Sequence, residues 1–324
     1  MARVAKGVWR MGWIGWTALT LVLLGAVGLV AFRHALNTNA VAVLNGGDKL
    51  LNGGDGAIKQ VAAERFGADP AQKLEMFVPQ GATGALPVIL FIHGGSWASG
   101  NPADYRFIAR TLCAQGYAVV LAGYRLYPQA RFPDMLEDGA AALRWVHYNA
   151  AKHGADPARI ALMGHSAGAY NVAMITLDPQ WLKRVGLDDR AIRGTVALAG
   201  PFDFFPFDTD ATINSFGSAP DAALTQPINF VRGNAPPMLL VTGDADTRVK
   251  PRNSKALAAR LTKAGAQTTP VLLEGVTHEK IIMQFAKPFS RDTRALDAVL
   301  PFLAKVTELS AAAPSSVAVK AQAR

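Results

Sequence analysis

The chain has 324 residues, of which 50% are hydrophobic and 18% charged, with one cysteine and a formal net charge of +9. This length fits one large domain or two small ones, and the apolar content is too high for a disordered chain. Because Cys113 is the only cysteine, an internal disulfide and a cysteine-based zinc or iron–sulfur site are excluded.

The positive charge is concentrated at the two ends of the chain. Residues 1–40 contain four basic residues and no acidic one, and residues 311–324 contain two basic residues and no acidic one. The 270 residues between them therefore hold only +3. Such a distribution forms no basic stripe, and no nucleic-acid-binding motif is present. We therefore expect no nucleic-acid partner.

The first element is an uncharged apolar run, Trp13–Phe32, that is long enough to span about 30 Å as a helix. Three basic residues precede it: Arg3, Lys6 and Arg10. This pattern predicts a cytoplasmic N-terminus at 1–12 and a transmembrane signal-anchor helix at 13–33 that binds the lipid bilayer. The alternative is a signal peptide cleaved near Ala40–Val43. Either interpretation places the remaining chain outside the cytoplasm, in the periplasm or the extracellular space.

A tether is predicted at 34–70, between the apolar run and the folded domain. It contains two copies of Asn-Gly-Gly-Asp, at 45–48 and 52–55, which we interpret as turns because calcium-binding repeats need many copies in a row. The small, polar residues at 309–324 predict a flexible tail.

Residues 71–308 alternate apolar runs with helical patterns, which predicts an α/β fold with a mostly parallel central sheet flanked by helices. The predicted strands are Leu74–Val78, Val88–Ile92, Ala118–Ala122, Ile160–Met163, Thr195–Ala199, Met238–Val241 and Pro270–Leu273. The predicted helices cover 102–115, 134–153, 167–177, 252–264 and 279–305.

A candidate nucleophile lies in Gly164-His165-Ser166-Ala167-Gly168, which follows an apolar strand and precedes a helical run. In this strand–turn–helix context, the G-x-S-x-G pattern indicates a nucleophilic serine, because the sharp turn exposes the serine hydroxyl at a helix N-terminus. We therefore predict that Ser166 is a nucleophile rather than part of a chance glycine–serine turn.

A serine nucleophile needs a base, and a base needs an orienting carboxylate. His278 follows the last predicted strand, at the edge where ligands meet parallel sheets. Asp244 and Asp246 both follow the strand Met238–Val241, and we favour Asp246 because it comes later in the loop. The order Ser166, Asp246, His278 is that of α/β-hydrolases.

Two further loops contribute to the predicted site. His93-Gly94-Gly95-Ser96-Trp97 follows a strand, and its paired glycines allow backbone N–H groups to approach a ligand closely. The aromatic run Phe202–Phe207 either caps the pocket or packs as an ordinary loop. Residues 200–235 have several prolines and no strong periodicity, which argues against a large separate lid domain.

In this order, the motifs resemble those of α/β-hydrolase esterases and lipases, the class that includes hormone-sensitive-lipase-like and feruloyl-esterase-like carboxylesterases. The similar segments are HGGSW at 93–97, YRLYPQARFPDMLED at 124–138, GHSAG at 164–168, GDADTRV at 243–249 and GVTH at 275–278. The resemblance implies an oxyanion hole built from the backbone N–H groups of Gly95, Ser96 and Ala167. Ser96 stands where many relatives have a third glycine, and we expect its donor to survive if φ is negative there.

The sequence thus predicts a serine hydrolase that cleaves carboxylic esters through an acyl-enzyme, with a small acyl ester as substrate and without a metal or organic cofactor. One alternative is a formamide or amide hydrolase similar to kynurenine formamidase, since both reactions pass through the same intermediate. The other is a catalytically inactive, membrane-tethered binding module on the same fold.

Overall fold

The computed structural model describes residues 13–289 and 291–308, so the predictions for 1–12 and 309–324 lie outside the described residues. The strands are β1 (Ile58–Arg65), β2 (Lys73–Pro79), β3 (Leu86–Ile92), β4 (Ala118–Ala122), β5 (Ala155–His165), β6 (Gly194–Leu198), β7 (Met238–Gly243) and β8 (Thr268–Leu273). The helices are α1 (Trp13–Leu51), α2 (Arg106–Cys113), α3 (Asp134–Asn149), α4 (Ala167–Leu177), α5 (Gln180–Arg184), α6 (Asp210–Phe216), α7 (Arg252–Lys263), α8 (His278–Met283) and α9 (Arg294–Thr307).

The strands form one sheet in the order β1-β2-β4-β3-β5-β6-β7-β8. Both pairings of β2, with β1 and with β4, are antiparallel, whereas every pairing from β4 through β8 is parallel. The predicted mostly parallel sheet with flanking helices is therefore confirmed. Its parallel strands share one carboxyl edge, and each of the predicted catalytic loops follows the end of such a strand.

The sheet is covered by helices on both faces. In β3, Val88, Leu90 and Ile92 belong to the core that contains α3 and α4, while Ile89 and Phe91 belong to the core that contains α2, α8 and α9. This alternation follows from the two-residue period of a strand. Because both faces are buried, the central strands are continuously apolar, which made them recognisable in the sequence.

The predicted tether at 34–70 is wrong, because much of this segment has regular structure. Helix α1 continues to Leu51, with non-helical backbone angles at Asn39 (φ −154°, ψ 80°), and β1 then pairs with β2 at the edge of the sheet. The buried side chain of Asp48 bonds to Arg110 of α2, with 2.5 Å between Oδ2 and Nε. This buried ion pair holds the second half of α1 on the domain, and the packed fold begins before the predicted residue 71.

The first half of α1 contains a long exposed stretch in the part of the chain that the structure describes. Residues Trp16–Leu36 form a stretch long and apolar enough to cross a membrane, and none of it is buried in the structure. A buried core helix is therefore not an explanation for its apolar composition, and a membrane anchor or a signal sequence remains.

The predicted helix at 279–305 is also wrong, because two helices and a 3₁₀ turn occupy this region. Helix α8 ends at Met283, a 3₁₀ turn covers Lys287–Phe289, and α9 begins at Arg294. Pro288 lacks the N–H group that a continuing helix needs. The break redirects the chain, so that α9 packs on the sheet while α8 begins at the carboxyl edge.

Candidate active site

Ser166 lies in a sharp turn between β5 and α4 and has a positive φ of 56° with ψ of −119°. A non-glycine residue in such a conformation is strained, and the surroundings must maintain it. The glycines at 164 and 168 allow the turn. A side chain on Gly168 would collide with the Ile92 carbonyl, and one on Gly164 would collide with Gly168 itself. The turn leaves Ser166 at the N-terminus of α4.

The structure brings Ser166, His278 and Asp246 together in one hydrogen-bonded chain. The Oγ of Ser166 lies 2.8 Å from Nε2 of His278, and Nδ1 of His278 lies 2.8 Å from Oδ2 of Asp246. Since a carboxylate only accepts hydrogen bonds, Nδ1 carries the proton and Nε2 is free to accept from the serine hydroxyl. All three residues are buried, at the ends of β5, β7 and β8.

The two aspartates after β7, Asp244 and Asp246, have different hydrogen-bond partners. The second carboxylate oxygen of Asp246 accepts from the backbone N–H groups of Arg248 at 2.9 Å and Val249 at 2.8 Å. Asp244 is exposed and accepts instead from the N–H of Gly275 at 2.6 Å. Asp246 is therefore the aspartate in contact with His278, whereas Asp244 connects the two loops.

The loop at 93–97 runs directly beside the serine turn. A Cβ on Gly94 would lie 3.2 Å from the Cβ of Ser166. Within the described chain, the backbone N–H groups of Gly95, Ser96 and Ala167 donate no hydrogen bond. These three donors are thus available to a ligand, and Ser96, Ser166 and Ala167 line the same cavity.

The negative φ expected at Ser96 is not found, because Ser96 has φ 53° and the following Trp97 has φ 57°. A positive φ turns the chain after the Ser96 nitrogen. Its N–H group lies in the peptide plane shared with Gly95, so the direction of this donor is set before that rotation. The positive φ of Ser96 therefore leaves the direction of its N–H group unchanged. The left-handed conformation itself is unfavourable for a residue other than glycine.

Two buried histidines flank the site without belonging to the Ser166–His278–Asp246 chain. Burial, together with the nearby His278, lowers the pKa of His165 to about 3. Burial likewise lowers the pKa of His93 to about 4. His93 is held by its Nδ1 contact to the carbonyl of Gly94 at 2.7 Å and by stacking on the ring of Tyr124. Both imidazoles are therefore neutral at neutral pH.

The sequence analysis assigned no contact to His165. Its Nε2 lies 3.1 Å from the backbone carbonyl of His278, and the two rings are 4.9 Å apart. Asn253 was also missed: its Oδ1 accepts from the N–H groups of Phe202 and Asp203, both at 2.9 Å. Neither residue belongs to a motif that signals these contacts.

A cavity of about 380 Å³ opens above Ser166. Aromatic side chains of Trp97 and Phe204 line one part of it, and the backbone loop after β7 lines another. Phe202 and Phe204 are buried, and of the two only Phe204 lines the cavity, whereas Phe205 is exposed and lies outside the lining. The lining also includes basic residues that follow Asp246: Arg248, Lys250 and Arg252.

Within residues 13–289 and 291–308, no group of three or more His, Cys, Asp or Glu side chains could hold a metal ion. Cys113 is buried, and burial raises the pKa of its thiol to about 12. This thiol is therefore chemically unreactive at neutral pH.

The sheet, the flanking helices and the serine turn define an α/β-hydrolase fold. Solved structures support this class. A truncated carbohydrate esterase from gut microbiota covers 78% of this chain with 98% of its own length, at a TM-score of 0.70 and 24% identity. Esterase 2 from Thermogutta terrifontis, phosphonylated by sarin, covers 76% of this chain with 94% of its own, at a TM-score of 0.64 and 22% identity.

Sequence comparison identifies the family. The family model described as BD-FAE matches residues 74–261, more than half of the chain, and the chain therefore belongs to the BD-FAE family. A relative is the probable isoprenylcysteine alpha-carbonyl methylesterase ICMEL1 of Arabidopsis thaliana, 27% identical over 244 residues. The alignment covers 68% of this chain and 51% of that protein. This chain spans about half the length of the curated relatives it matches.

Proposed function

We propose that the chain is a serine hydrolase that cleaves carboxylic esters, with Ser166 as nucleophile, His278 as general base and Asp246 as the residue that orients the base. The observation that carries this proposal is the pair of 2.8 Å contacts that joins the three side chains. A serine hydroxyl is a weak nucleophile unless a base accepts its proton, and here the base lies within hydrogen-bond distance.

In the first half of the reaction, Ser166 Oγ bonds to the ester carbonyl carbon while its proton passes to Nε2 of His278. The tetrahedral intermediate collapses by breaking the bond to the alcohol oxygen, which takes that proton from His278. In the second half, water loses a proton to His278, attacks the acyl carbon and releases the acid as Ser166 recovers its proton. Asp246 stabilises the protonated imidazole between these steps.

The negative oxygen of each intermediate needs preorganised donors. We assign this role to the backbone N–H groups of Gly95, Ser96 and Ala167, which donate no hydrogen bond within the described chain. Removing one such donor typically costs about 10²–10³ in turnover. The N-terminus of α4 also favours negative charge at this position.

The names of similar proteins support an ester substrate over a formamide. The relative from Arabidopsis thaliana is described as a methylesterase, and LipC of Mycobacterium tuberculosis, 29% identical over 217 residues, is described as an esterase. The assembled contacts among the three side chains argue against an inactive binding module, because such a module has no need for a strained serine beside a base.

We also propose that residues 13–33 anchor the enzyme in a membrane, with the catalytic domain outside the cytoplasm. The exposed apolar stretch supports an anchor. The three basic residues before it support a cytoplasmic N-terminus. Cleavage near Ala40–Val43 is less compatible with the docked helix, because Asn39 bonds to Asp104 at 2.7 Å. N-terminal sequencing of membrane-extracted protein tests this, and a start near residue 40 contradicts the anchor.

The activity is tested by comparing the wild type with Ser166→Ala on a series of p-nitrophenyl esters of increasing acyl length and on N-formylkynurenine. We expect turnover of the esters by the wild type and loss of about 10³-fold or more in the variant, with unchanged thermal unfolding. Equal turnover by the two proteins contradicts the mechanism. Faster turnover of N-formylkynurenine than of every ester contradicts the ester assignment but not the serine mechanism.

A further inference from the structure

The second half of α1 meets the catalytic domain at the carboxyl edge of the sheet. Nδ2 of Asn39 lies 2.7 Å from Oδ2 of Asp104, and Nδ2 of Asn45 lies 3.2 Å from the carbonyl of Ala103. Both partners belong to the 3₁₀ turn Pro102–Tyr105, which follows the loop after β3. The ring of Tyr105, the last residue of that turn, stacks on the ring of His93 at 5.9 Å. The anchor thus attaches beside the loop that contains the proposed oxyanion donors.

From this attachment, α1 runs toward the opposite edge of the sheet. Asp48 bonds to Arg110, which lies in α2, and α2 leads from the turn at 102–105 down to the start of β4. Residues before Asn39 therefore leave the domain on the side of its carboxyl edge. Only residues 37–39 separate the apolar stretch from the docked helix, and three residues reach at most about 10 Å. The carboxyl edge is consequently held close to the plane in which the apolar stretch would enter a bilayer.

The mouth of the cavity lies at this same edge, and two exposed apolar residues directly follow lining residues in the chain. Phe205 follows the lining residue Phe204 and is 57% exposed, and Ile213 follows the lining residue Thr212 and is 50% exposed. Neither side chain lines the cavity itself. Exposed large apolar groups grouped around a pocket mark a surface that contacts an apolar partner.

Basic side chains share this mouth with the apolar ones. Arg248, Lys250 and Arg252 are exposed and line the cavity together with Asp208. Arg248 also pairs with Glu279 at 3.3 Å. Aromatic and aliphatic groups beside basic side chains are typical of surfaces that lie in the headgroup region of a bilayer.

We propose that the mouth of the active site faces the bilayer into which α1 inserts, and that the substrate is an amphiphilic carboxylic ester taken from that bilayer. Phe205 and Ile213 enter the headgroup region, and an ester held there reaches Ser166 through the cavity between them. This proposal rests on the proposed hydrolase function and on the proposed anchor. It adds the orientation of the domain and the physical state of the substrate.

The orientation is tested with fluorophores on single engineered cysteines, since Cys113 is buried and unreactive. Phe205→Cys and Ile213→Cys mark the mouth. Tyr148→Cys is the matched control, because Tyr148 is 56% exposed near the end of α3, where the chain returns to the amino edge of the sheet. The full chain is reconstituted in vesicles of phosphatidylcholine and phosphatidylglycerol that contain a lipid with a nitroxide at its headgroup.

We expect the nitroxide lipid to quench the fluorophores at 205 and 213 and to leave the one at 148 unaffected. Equal quenching at the three positions in protein that floats with the vesicles overturns the proposed orientation alone. Protein that does not float with the vesicles overturns the anchor and, with it, the orientation. Hydrolysis of water-soluble p-nitrophenyl acetate in the same samples reports the proposed esterase function independently.

The substrate is tested with Phe205→Asp and Ile213→Asp against Tyr148→Asp. Replacing an apolar side chain at the mouth with a carboxylate makes its insertion among anionic headgroups unfavourable. We therefore expect about tenfold or greater loss of rate on a long-chain p-nitrophenyl ester dispersed in the vesicles. The rate on p-nitrophenyl acetate is expected to stay unchanged, and Tyr148→Asp is expected to keep both rates. A rate on the vesicle ester that is unchanged in both mouth variants overturns the proposal.

Discussion

His165 donates a hydrogen bond from Nε2 to the backbone carbonyl of His278, across 113 residues of sequence and 3.1 Å of space. The residue immediately before the proposed nucleophile thus fixes the residue that acts as its proposed base. Because burial keeps His165 neutral, it positions His278 without adding a positive charge beside it. Neutrality matters because His278 itself becomes positive during each half of the proposed reaction.

The first prediction concerns this positioning contact. His165→Phe removes the donor while keeping a flat ring, and we expect kcat to fall roughly ten- to a hundredfold with little change in KM, because small displacements of a catalytic group are costly. His165→Gln retains an N–H donor and is expected to recover part of kcat. Steady-state kinetics on a soluble ester measures both. Equal kcat in His165→Phe and wild type shows that the contact does not position the base.

The second prediction separates the two aspartates after β7. Asp246→Asn replaces the acceptor of Nδ1 of His278 with an amide that favours the wrong tautomer, and we expect kcat to fall by about 10⁴. Asp244→Asn is the matched control, since the Asp244 carboxylate accepts from the backbone N–H of Gly275 rather than from His278, and a change of less than about tenfold is expected. Similar kcat values for the two variants would mean that the wrong carboxylate has been assigned.

The third prediction is acid lability that originates in the buried histidines. Unfolded histidines bind a proton near pH 6.5, whereas folded His93 and His165 do so only near pH 4 and pH 3. Between these values the unfolded chain holds more protons, so the free energy of unfolding falls as pH drops below 6.5. Each histidine contributes up to about 1.4 kcal/mol per pH unit in that window.

Urea denaturation between pH 7 and pH 4.5 measures this slope, with His165→Gln as the comparison. The free energy of unfolding of the variant is expected to fall less per pH unit than that of the wild type, because unfolding of the variant takes up about one proton fewer. Identical slopes in the two proteins would show that His165 does not resist protonation in the folded state.

The fourth prediction concerns the ion pair that holds α1 on the domain. Asp48 and Arg110 are both buried, and the carboxylate of Asp48 also accepts from the backbone N–H of Lys287 at 2.6 Å. Asp48→Ala leaves the guanidinium of Arg110 with fewer partners in a buried position, and we expect a loss of about 3 kcal/mol in the free energy of unfolding.

The control for this pair is Arg190→Ala, which removes the ion pair of an almost fully exposed arginine with Asp188 and leaves the Asp188 carboxylate on the backbone N–H of residue 190. Solvent screens that pair, so no measurable change in the free energy of unfolding is expected. Denaturation of the full chain in detergent compares the two variants. Losses of equal size would contradict the assignment of a structural role to the buried pair.

The central strands and the order of the site residues could be predicted because each has a strong local signal. Strand β3 is buried on both faces and reads as an unbroken apolar run, and Ser166 lies in a motif that the turn geometry demands. Strand β1 gave no such signal. It lies at the sheet edge and buries only Ile58 and Ala62, and polar residues make up half of its sequence.

The docked half of α1 was missed for a different reason. Asn45-Gly46-Gly47-Asp48 has the composition of a turn, and glycine disfavours a helix by about 1 kcal/mol. Tertiary contacts overcome that preference here, because Asn45 and Asp48 both bond to Arg110. Likewise, the contact of His165 with His278 depends on the pairing of distant strands, which no local pattern records.

The central claim, that Ser166 is the nucleophile, is tested most directly by mass spectrometry after treatment with a fluorophosphonate. A fluorophosphonate bonds covalently to a serine hydroxyl that a neighbouring base activates, which makes this probe class appropriate. We predict one adduct per chain, located on the peptide that contains Ser166, with ester turnover lost in proportion to labelling and no adduct in Ser166→Ala. Labelling of another residue, or full turnover by protein that is labelled at Ser166, would contradict the account.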